Sequence, residues 1–143
     1  MSRSKFRRWP KRDPIKNCFL LPNEVFQMDL SGGAMLVYAY LIYREDRTTY
    51  QCVVSYRKIG RSVNMSVNTV RKYVTELVDK GLVSTENTTV TKKDGQKQNG
   101  SLRYTIHPIQ AAMEQYLQRQ HHQAELDTAR WEAQKLATEK KAG

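Results

Sequence analysis

Long apolar stretches and acidic residues are both scarce in this chain of 143 residues. The longest uninterrupted apolar run covers ten residues, 34–43, whereas a membrane-spanning helix needs roughly 20. The basic N-terminus is not followed by the apolar stretch and cleavage site of a secretory signal. The sequence therefore predicts neither a membrane anchor nor export, and we expect a cytoplasmic protein without a membrane partner.

Cysteine and recognisable catalytic patterns are also scarce. The two cysteines, Cys18 and Cys52, lie in unrelated contexts, which is typical of reduced thiols in a cytosolic protein. The spacings of zinc sites, phosphate loops and serine nucleophiles are missing. The adjacent His121 and His122 would point about 100° apart on a helix and so do not suit one metal ion. We expect no cofactor, no metal site and no enzymatic activity.

Basic charge is abundant, and it is concentrated in two places. The chain has 24 basic and 14 acidic residues, a net charge of +10. Six basic residues and two prolines fall in residues 1–14, which have no hydrophobic periodicity and predict a flexible arm. The second excess lies in residues 88–103. A charge balance of this kind indicates a polyanionic partner, either nucleic acid or an anionic membrane surface.

Residues 22–54 predict a buried helix between two short elements. Pro22 starts one helical turn, and Ser31 caps a helix that runs to about Asp46. Since residues 34–43 are apolar on every side, we expect this helix, with its tyrosines Tyr38, Tyr40 and Tyr43, in the core. Residues 50–54 are rich in β-branched and aromatic side chains and predict an edge strand.

Residues 55–81 predict two helices joined by a short turn. Ser55 caps the first helix, and Asn64 stops it by adopting the left-handed conformation. Ser66 caps the second, about residues 67–80, and Gly81 ends it. Gly60 allows the helices to cross closely. The crossing is held by an apolar stripe of Ile59, Val63, Val70, Val74 and Leu77.

The last third of the chain predicts a hairpin and a helix. Residues 82–91 and 102–107 favour strands, and the turn signals at residues 94–95 and 99–100 between them predict one long β-hairpin. A helix should follow from Ile109. It carries a stripe of Ile109, Met113, Tyr116 and Leu117, and then a weaker one of Leu126, Ala129, Ala133 and Leu136. This helix could pair with a second copy or cover the domain.

The second helix of the pair should project its N-terminal half, as a helix entering the DNA major groove does. Arg71 can present a bidentate fork to guanine or phosphate, and Asn68 can pair with adenine. Hydroxyls at the positive end of a helix suit a phosphate oxygen. The predicted DNA-binding residues are Ser66, Asn68, Thr69, Arg71 and Lys72 on this helix, Arg57 and Lys58 on the preceding helix, and Lys92, Lys93 and Lys97 near the hairpin tip.

The motifs Ser55-Tyr-Arg-Lys-Ile-Gly, Met65-Ser-Val-Asn-Thr-Val-Arg-Lys-Tyr-Val and Leu77-Val-Asp-Lys-Gly-Leu-Val carry a family resemblance. With the basic hairpin after them, residues 18–110 resemble the winged helix-turn-helix of small bacterial DNA-binding proteins of mobile elements. They are similar to the N-terminal domains of plasmid replication initiators and to compact transcriptional regulators. The resemblance implies contacts to double-stranded DNA by Ser66, Asn68, Thr69 and Arg71.

The predicted fold is mainly α with a small β-hairpin wing. It comprises a basic arm (1–14), a winged helix-turn-helix domain (15–108) and a C-terminal helical tail (109–143). The predicted function is sequence-specific binding of duplex DNA through a recognition helix (about 67–80) and a basic wing (about 88–103), in transcriptional regulation or replication. A homodimer could form through the tail. The alternative is a winged-helix protein-interaction module whose basic arm binds nucleic acid without specificity.

Overall fold

The computed structural model describes residues 18–142, so the predicted basic arm lies outside the described residues. A short 3-10 helix, Asn23–Gln27, precedes the α-helices and the strands. The helices are α1 (Gly32–Arg44), α2 (Tyr56–Val63), α3 (Val67–Asp79) and α4 (Ile109–Ala142). The strands are β1 (Gln51–Val54), β2 (Val83–Glu86), β3 (Thr89–Thr91), β4 (Lys97–Asn99) and β5 (Leu102–Ile106).

Local signals in the sequence set the ends of the first three helices. Ser31, Ser55 and Ser66 each precede a helix, and each hydroxyl accepts a hydrogen bond from the backbone N–H three residues later. Asn64 ends α2 with φ 58° and ψ 53°, and Gly81 follows α3 with φ 75°. Both conformations are left-handed, which satisfies carbonyl groups at a helix end. The predicted helix starts after Ser31, Ser55 and Ser66 and the predicted helix ends at Asn64 and Gly81 are therefore confirmed.

The sheet is small, and the predicted long hairpin is broken into two ladders. β5 lies between β1 and β2 in an antiparallel sheet, so β1 is the predicted edge strand. β3 and β4 form a separate two-stranded ladder at the tip. Residues 94–95 make the tip turn, where the Gly95 N–H donates to the Lys92 carbonyl at 2.9 Å.

The turn predicted at residues 99–100 is wrong, because Asn99 is the last residue of β4 and Gly100 lies in the break between β4 and β5. The Gly100 N–H donates to the Thr88 carbonyl at 2.7 Å, and the Thr88 hydroxyl donates to the Ser101 carbonyl. Asn and Gly are poor strand formers, which explains why the ladder is interrupted here.

The core lies between α1, α2, α3 and the sheet, and apart from Gly60 every buried residue in the described part of the chain is hydrophobic. Val37, Tyr38 and Leu41 of α1 are fully buried. The opposite side of α1 faces solvent, with Tyr43 63% exposed and Leu36 48% exposed. The expectation that α1 is buried on every side, with Tyr43 in the core, is therefore wrong. The reason is that α2, α3 and β5 pack against only part of its surface.

Helix α4 is one continuous helix of 34 residues, which gives it a length of about 50 Å. Its first two turns belong to the core, since Ala112 is buried and Ile109, Met113 and Tyr116 pack against the core residues. Apart from Leu117, the first apolar stripe therefore packs on the domain and is not offered for pairing. Every side chain from residue 117 to residue 141 is exposed. No helix within residues 18–142 has the length and apolarity needed to cross a bilayer.

Candidate nucleic-acid interface

The turn between α2 and α3 is tight because Gly60 has no side chain. A Cβ atom at Gly60 would lie 2.4 Å from the carbonyl oxygen of Met65. The Met65 N–H donates to the Gly60 carbonyl at 2.8 Å, which closes the turn. Ile59 of α2 and Val70 of α3 are fully buried beside it. This close approach fixes the direction in which α3 leaves α2.

The inner side of α3 is attached to the N-terminus of α1. The backbone N–H and the hydroxyl of Ser31 both donate to the carboxylate of Glu76, each at 2.8 Å. Gly33 faces the same region, and a Cβ atom there would lie 2.2 Å from the Tyr73 ring. Since α1 holds this side of α3, only the opposite side of α3 is available to a partner.

The exposed side of α3 presents the predicted recognition residues. Asn68, Arg71 and Lys72 are exposed, as is Ser66 at the cap, and Thr69 is half-buried. Val67 is also exposed, at 38%. The first two turns of α3 therefore bring the five predicted residues together at one end of one helix.

The two hydroxyls at the start of α3 have different roles. The Ser66 hydroxyl accepts the N–H of Thr69 at 3.2 Å and donates its proton to the Thr69 hydroxyl oxygen at 2.8 Å. The Thr69 hydroxyl has no acceptor for its own proton among residues 18–142. Thr69 is therefore the hydroxyl able to donate to an external anion, and Ser66 orients it.

Arg71 is held by an aromatic ring of the neighbouring helix. Its guanidinium carbon lies 5.6 Å from the centroid of the Tyr56 ring, at the first position of α2. A cation over an aromatic face is attracted by the ring quadrupole, so this contact limits the orientations that Arg71 samples. This contact was not predicted, since no sequence pattern links two residues that meet through a turn.

The stretch from Ser55 to Thr75, which covers α2 and the first part of α3, has a single sign of charge. Residues 55–75 contain five basic residues and no acidic residue. Arg57 and Lys58 lie exposed at the start of α2, as predicted, and the exposed Arg61 adds a third cation that was not predicted. Glu76, the first acidic residue after this stretch, is bonded to Ser31. Such a surface attracts polyanions over long range.

The tip of the wing adds further positive charge. Lys92 and Lys93 are exposed beside the tip turn, and Lys97 is the first residue of β4. Arg103, at the base, forms an ion pair with Glu86 at 2.8 Å. Lys92 and Lys93, rather than Arg103, are therefore the charges offered to a partner.

Comparison with known proteins supports this description of the helices. Residues 29–83 match the family model described as a helix-turn-helix domain. Within this range, α2 and α3 form a helix-turn-helix. With the β-hairpin behind it, the chain has the predicted winged helix-turn-helix architecture, followed by a C-terminal helix.

Curated proteins and solved structures give different results for this chain. No curated protein matches it. Among solved structures, it is similar to a "possible transcriptional regulator" from Methanosarcina mazei Go1, with 15% sequence identity and a TM-score of 0.49. That alignment covers 80% of this chain and 98% of the other.

Within residues 18–142, no group of three or more His, Cys, Asp or Glu side chains could hold a metal ion.

Proposed function

We propose that this protein binds duplex DNA with the N-terminal half of α3 in the major groove and acts as a transcriptional regulator. The observation that carries the proposal is the exposed end of α3, where Asn68, Arg71 and Lys72 project together. No acidic residue lies in residues 55–75 to oppose the phosphate backbone. A helix that enters the major groove reads base edges from this position.

Each group on α3 has a chemical role in this complex. Arg71 donates two parallel hydrogen bonds to O6 and N7 of guanine, and Asn68 pairs with the N6 and N7 edge of adenine. Val67 offers an apolar contact to a thymine methyl group. Thr69 donates its hydroxyl proton to a phosphate oxygen at the positive end of the helix.

The remaining predicted residues position the protein on the DNA backbone. Arg57 and Lys58 contact phosphates beside the groove that α3 enters, and the tip of the wing reaches the adjacent backbone. The wing contributes Lys92, Lys93 and Lys97. Such contacts fix register and orientation without reading sequence. Neutralising five to eight phosphates gives a slope of log affinity against log salt of roughly −4.5 to −7.

The test is fluorescence anisotropy with a labelled duplex at several salt concentrations. The double variant Arg71→Ala with Lys72→Ala should lose at least tenfold in affinity. The matched control is Lys140→Ala with Lys141→Ala, which removes the same charge from the last turn of α4. An equal loss in both variants would mean that net charge alone binds the DNA, and would overturn the proposed docking.

A homodimer completes the proposed assembly, and α4 supplies its surface. Leu126, Ala129, Ala133 and Leu136 repeat at heptad spacing on the part of α4 that projects from the domain. Leu126 is 40% exposed and Leu136 59% exposed. A two-fold dimer places one α3 in each of two half-sites. In this proposal the protein is a cytoplasmic regulator without enzymatic activity. It regulates transcription or, as the sequence resemblance implies, the replication of a mobile element.

An exposed aromatic surface favours one alternative, a winged-helix module that binds another protein. On the outer side of α1, the Tyr43 ring lies 6.1 Å from that of Phe19 and 6.0 Å from that of Tyr40. Leu36 of the same helix is also exposed. Exposed apolar patches of this kind mark protein interaction sites. If no duplex DNA binds at low salt, this alternative replaces the proposed function.

A further inference from the structure

A cavity of about 380 Å³ lies where the end of α1 meets the junction of β5 and α4. Its walls are mainly apolar and come from Leu20, Pro22, Ile42, Ile106, Pro108 and Ile109. Polar groups enter it from Tyr38, Glu45, Tyr50 and His107. Small-molecule sites have this size and this combination of apolar walls with a few convergent polar groups. None of these residues belongs to the proposed DNA interface.

Tyr38 is the most deeply buried polar side chain of this cavity, with 1% of its surface exposed. It lines the cavity. Within residues 18–142, the side-chain oxygens that are fully buried without a partner are Glu45 Oε2 and the Tyr104 hydroxyl, not the Tyr38 hydroxyl. The Tyr38 hydroxyl therefore offers one donor and acceptor lone pairs to a molecule in the cavity.

Glu45, the residue that ends α1, adds a carboxylate. Its Oε2 atom is buried and has no hydrogen-bond partner among the described residues. Burial raises the pKa of Glu45, and the nearby Arg47 opposes this only in part. Burial, Glu45 and Glu24, in that order, raise the pKa of Tyr38 to about 12. The carboxylates of Glu45 and Glu24 therefore place negative potential at the Tyr38 hydroxyl, although the whole chain is strongly basic.

We propose that the cavity binds a small organic cation, with an apolar body against the walls and a primary ammonium group at Glu45 and Tyr38. An ammonium group has three donors and no acceptor. It can donate to the Glu45 carboxylate in a charge-assisted bond and to the Tyr38 hydroxyl oxygen at the same time. A neutral ligand lacks that charge, and an anionic ligand is repelled by Glu45. The site does not depend on DNA binding.

Three molecules of similar shape test the required charge: 2-phenylethylamine, 2-phenylethanol and 3-phenylpropionate. Each is titrated into the ¹⁵N-labelled full chain and followed by two-dimensional NMR. The amine should cause saturable shifts at the amides of Ile106, His107 and Ile109. It should bind at least fivefold more tightly than the alcohol, and the acid most weakly. An amine that binds no better than the alcohol, or that leaves these amides unshifted, would overturn the proposal.

Variants of Glu45 and Tyr38 test whether these two side chains bind the ammonium group. Glu45→Gln keeps the shape of the side chain and should reduce the affinity of the amine to that of the alcohol. Tyr38→Phe should weaken the amine more than the alcohol. The matched control, Glu139→Gln, makes the same charge change at the exposed end of α4. It should change neither the affinity of the amine nor that of the alcohol. A preference for the amine that survives Glu45→Gln would also overturn the proposal, and the spectra themselves establish that each variant is folded.

Discussion

Ser31 and Glu76 join the N-terminus of α1 to α3 through two hydrogen bonds of 2.8 Å. The Ser31 hydroxyl also accepts the N–H of Ala34 at 3.3 Å and so caps α1. The carboxylate of Glu76 lies at the positive end of the α1 dipole, where negative charge is favoured. One contact therefore stabilises α1 and holds the helix that is proposed to read DNA.

Glu76→Ala should lower the free energy of unfolding by about 1–3 kcal/mol, because the Ser31 N–H and hydroxyl lose their acceptor. Urea denaturation followed by circular dichroism measures this difference. Glu114→Ala, which removes a carboxylate from an exposed position of α4, is the control and should have little effect. Equal stability of the two variants would show that the Ser31–Glu76 contact contributes nothing.

Gly60→Ala should destabilise the protein by about 1–3 kcal/mol. The new methyl group would meet a backbone carbonyl at 2.4 Å, and the turn must shift to accommodate it. Gly32→Ala is the matched control, since a Cβ atom there has no neighbour within 4 Å. This control should be neutral or stabilising, because alanine favours a helix by up to about 1 kcal/mol over glycine. Thermal unfolding of both variants tests the difference, and a stable Gly60→Ala protein would contradict the tight turn.

Tyr56→Leu should weaken DNA binding by a factor of roughly two to five, since an exposed cation–aromatic contact contributes about 0.5–1 kcal/mol. Tyr56→Phe retains the ring face and should bind DNA nearly as well as the native protein. Tyr43→Leu, on the exposed outer side of α1, controls for the loss of a tyrosine. Anisotropy titrations of the three variants decide the point. Equal affinities would mean that Tyr56 does not position Arg71.

The two cysteines should differ in reactivity. Cys18 is exposed and Cys52 is buried, where the Cys52 thiol donates to the Leu41 carbonyl at 3.8 Å. Burial raises the pKa of Cys52 from 9.0 to about 11. At pH 8, Ellman's reagent should therefore modify one thiol quickly and the second only after denaturation. Rapid modification of both thiols in the folded protein would contradict the burial of Cys52.

The same pKa shift predicts how stability changes in alkali. The folded state holds the Cys52 proton more tightly than the unfolded state does. The contribution of the protonated Cys52 thiol to the free energy of unfolding is therefore complete below pH 9. It is lost as the pH rises from 9 through about 11. Urea denaturation at pH 8 and at pH 10.5 measures the loss, which should be smaller in Cys52→Val. A free energy of unfolding that rises with pH over this interval would contradict the prediction.

The helix ends were predictable because the signals are local. The hydroxyls of Ser31, Ser55 and Ser66 reach an N–H three residues away, and Asn64 needs only its own backbone conformation. The α3 surface was predictable for a related reason. Once Val70, Val74 and Leu77 define the buried stripe, the helical period leaves Asn68, Arg71 and Lys72 outside it.

Features that depend on residues distant in sequence were not predictable. Composition alone could not indicate that Tyr43 is exposed, because that depends on which side of α1 its neighbours cover. Likewise, the stripe from Ile109 to Tyr116 has the same pattern whether it packs on the core or on a second copy. The contacts of Arg71 with Tyr56 and of Ser31 with Glu76 join helices whose relative placement no sequence period encodes.

Selection of duplexes from a random DNA library at moderate salt, followed by sequencing, tests the central claim most directly. A reader that places one α3 in each of two half-sites predicts an enriched inverted repeat, with half-site centres about one helical turn apart or a multiple of it. The variant carrying Arg71→Ala should lose the preference at specific base pairs of each half-site. Binding without enrichment of any sequence, or no binding at all, would contradict sequence-specific reading by α3.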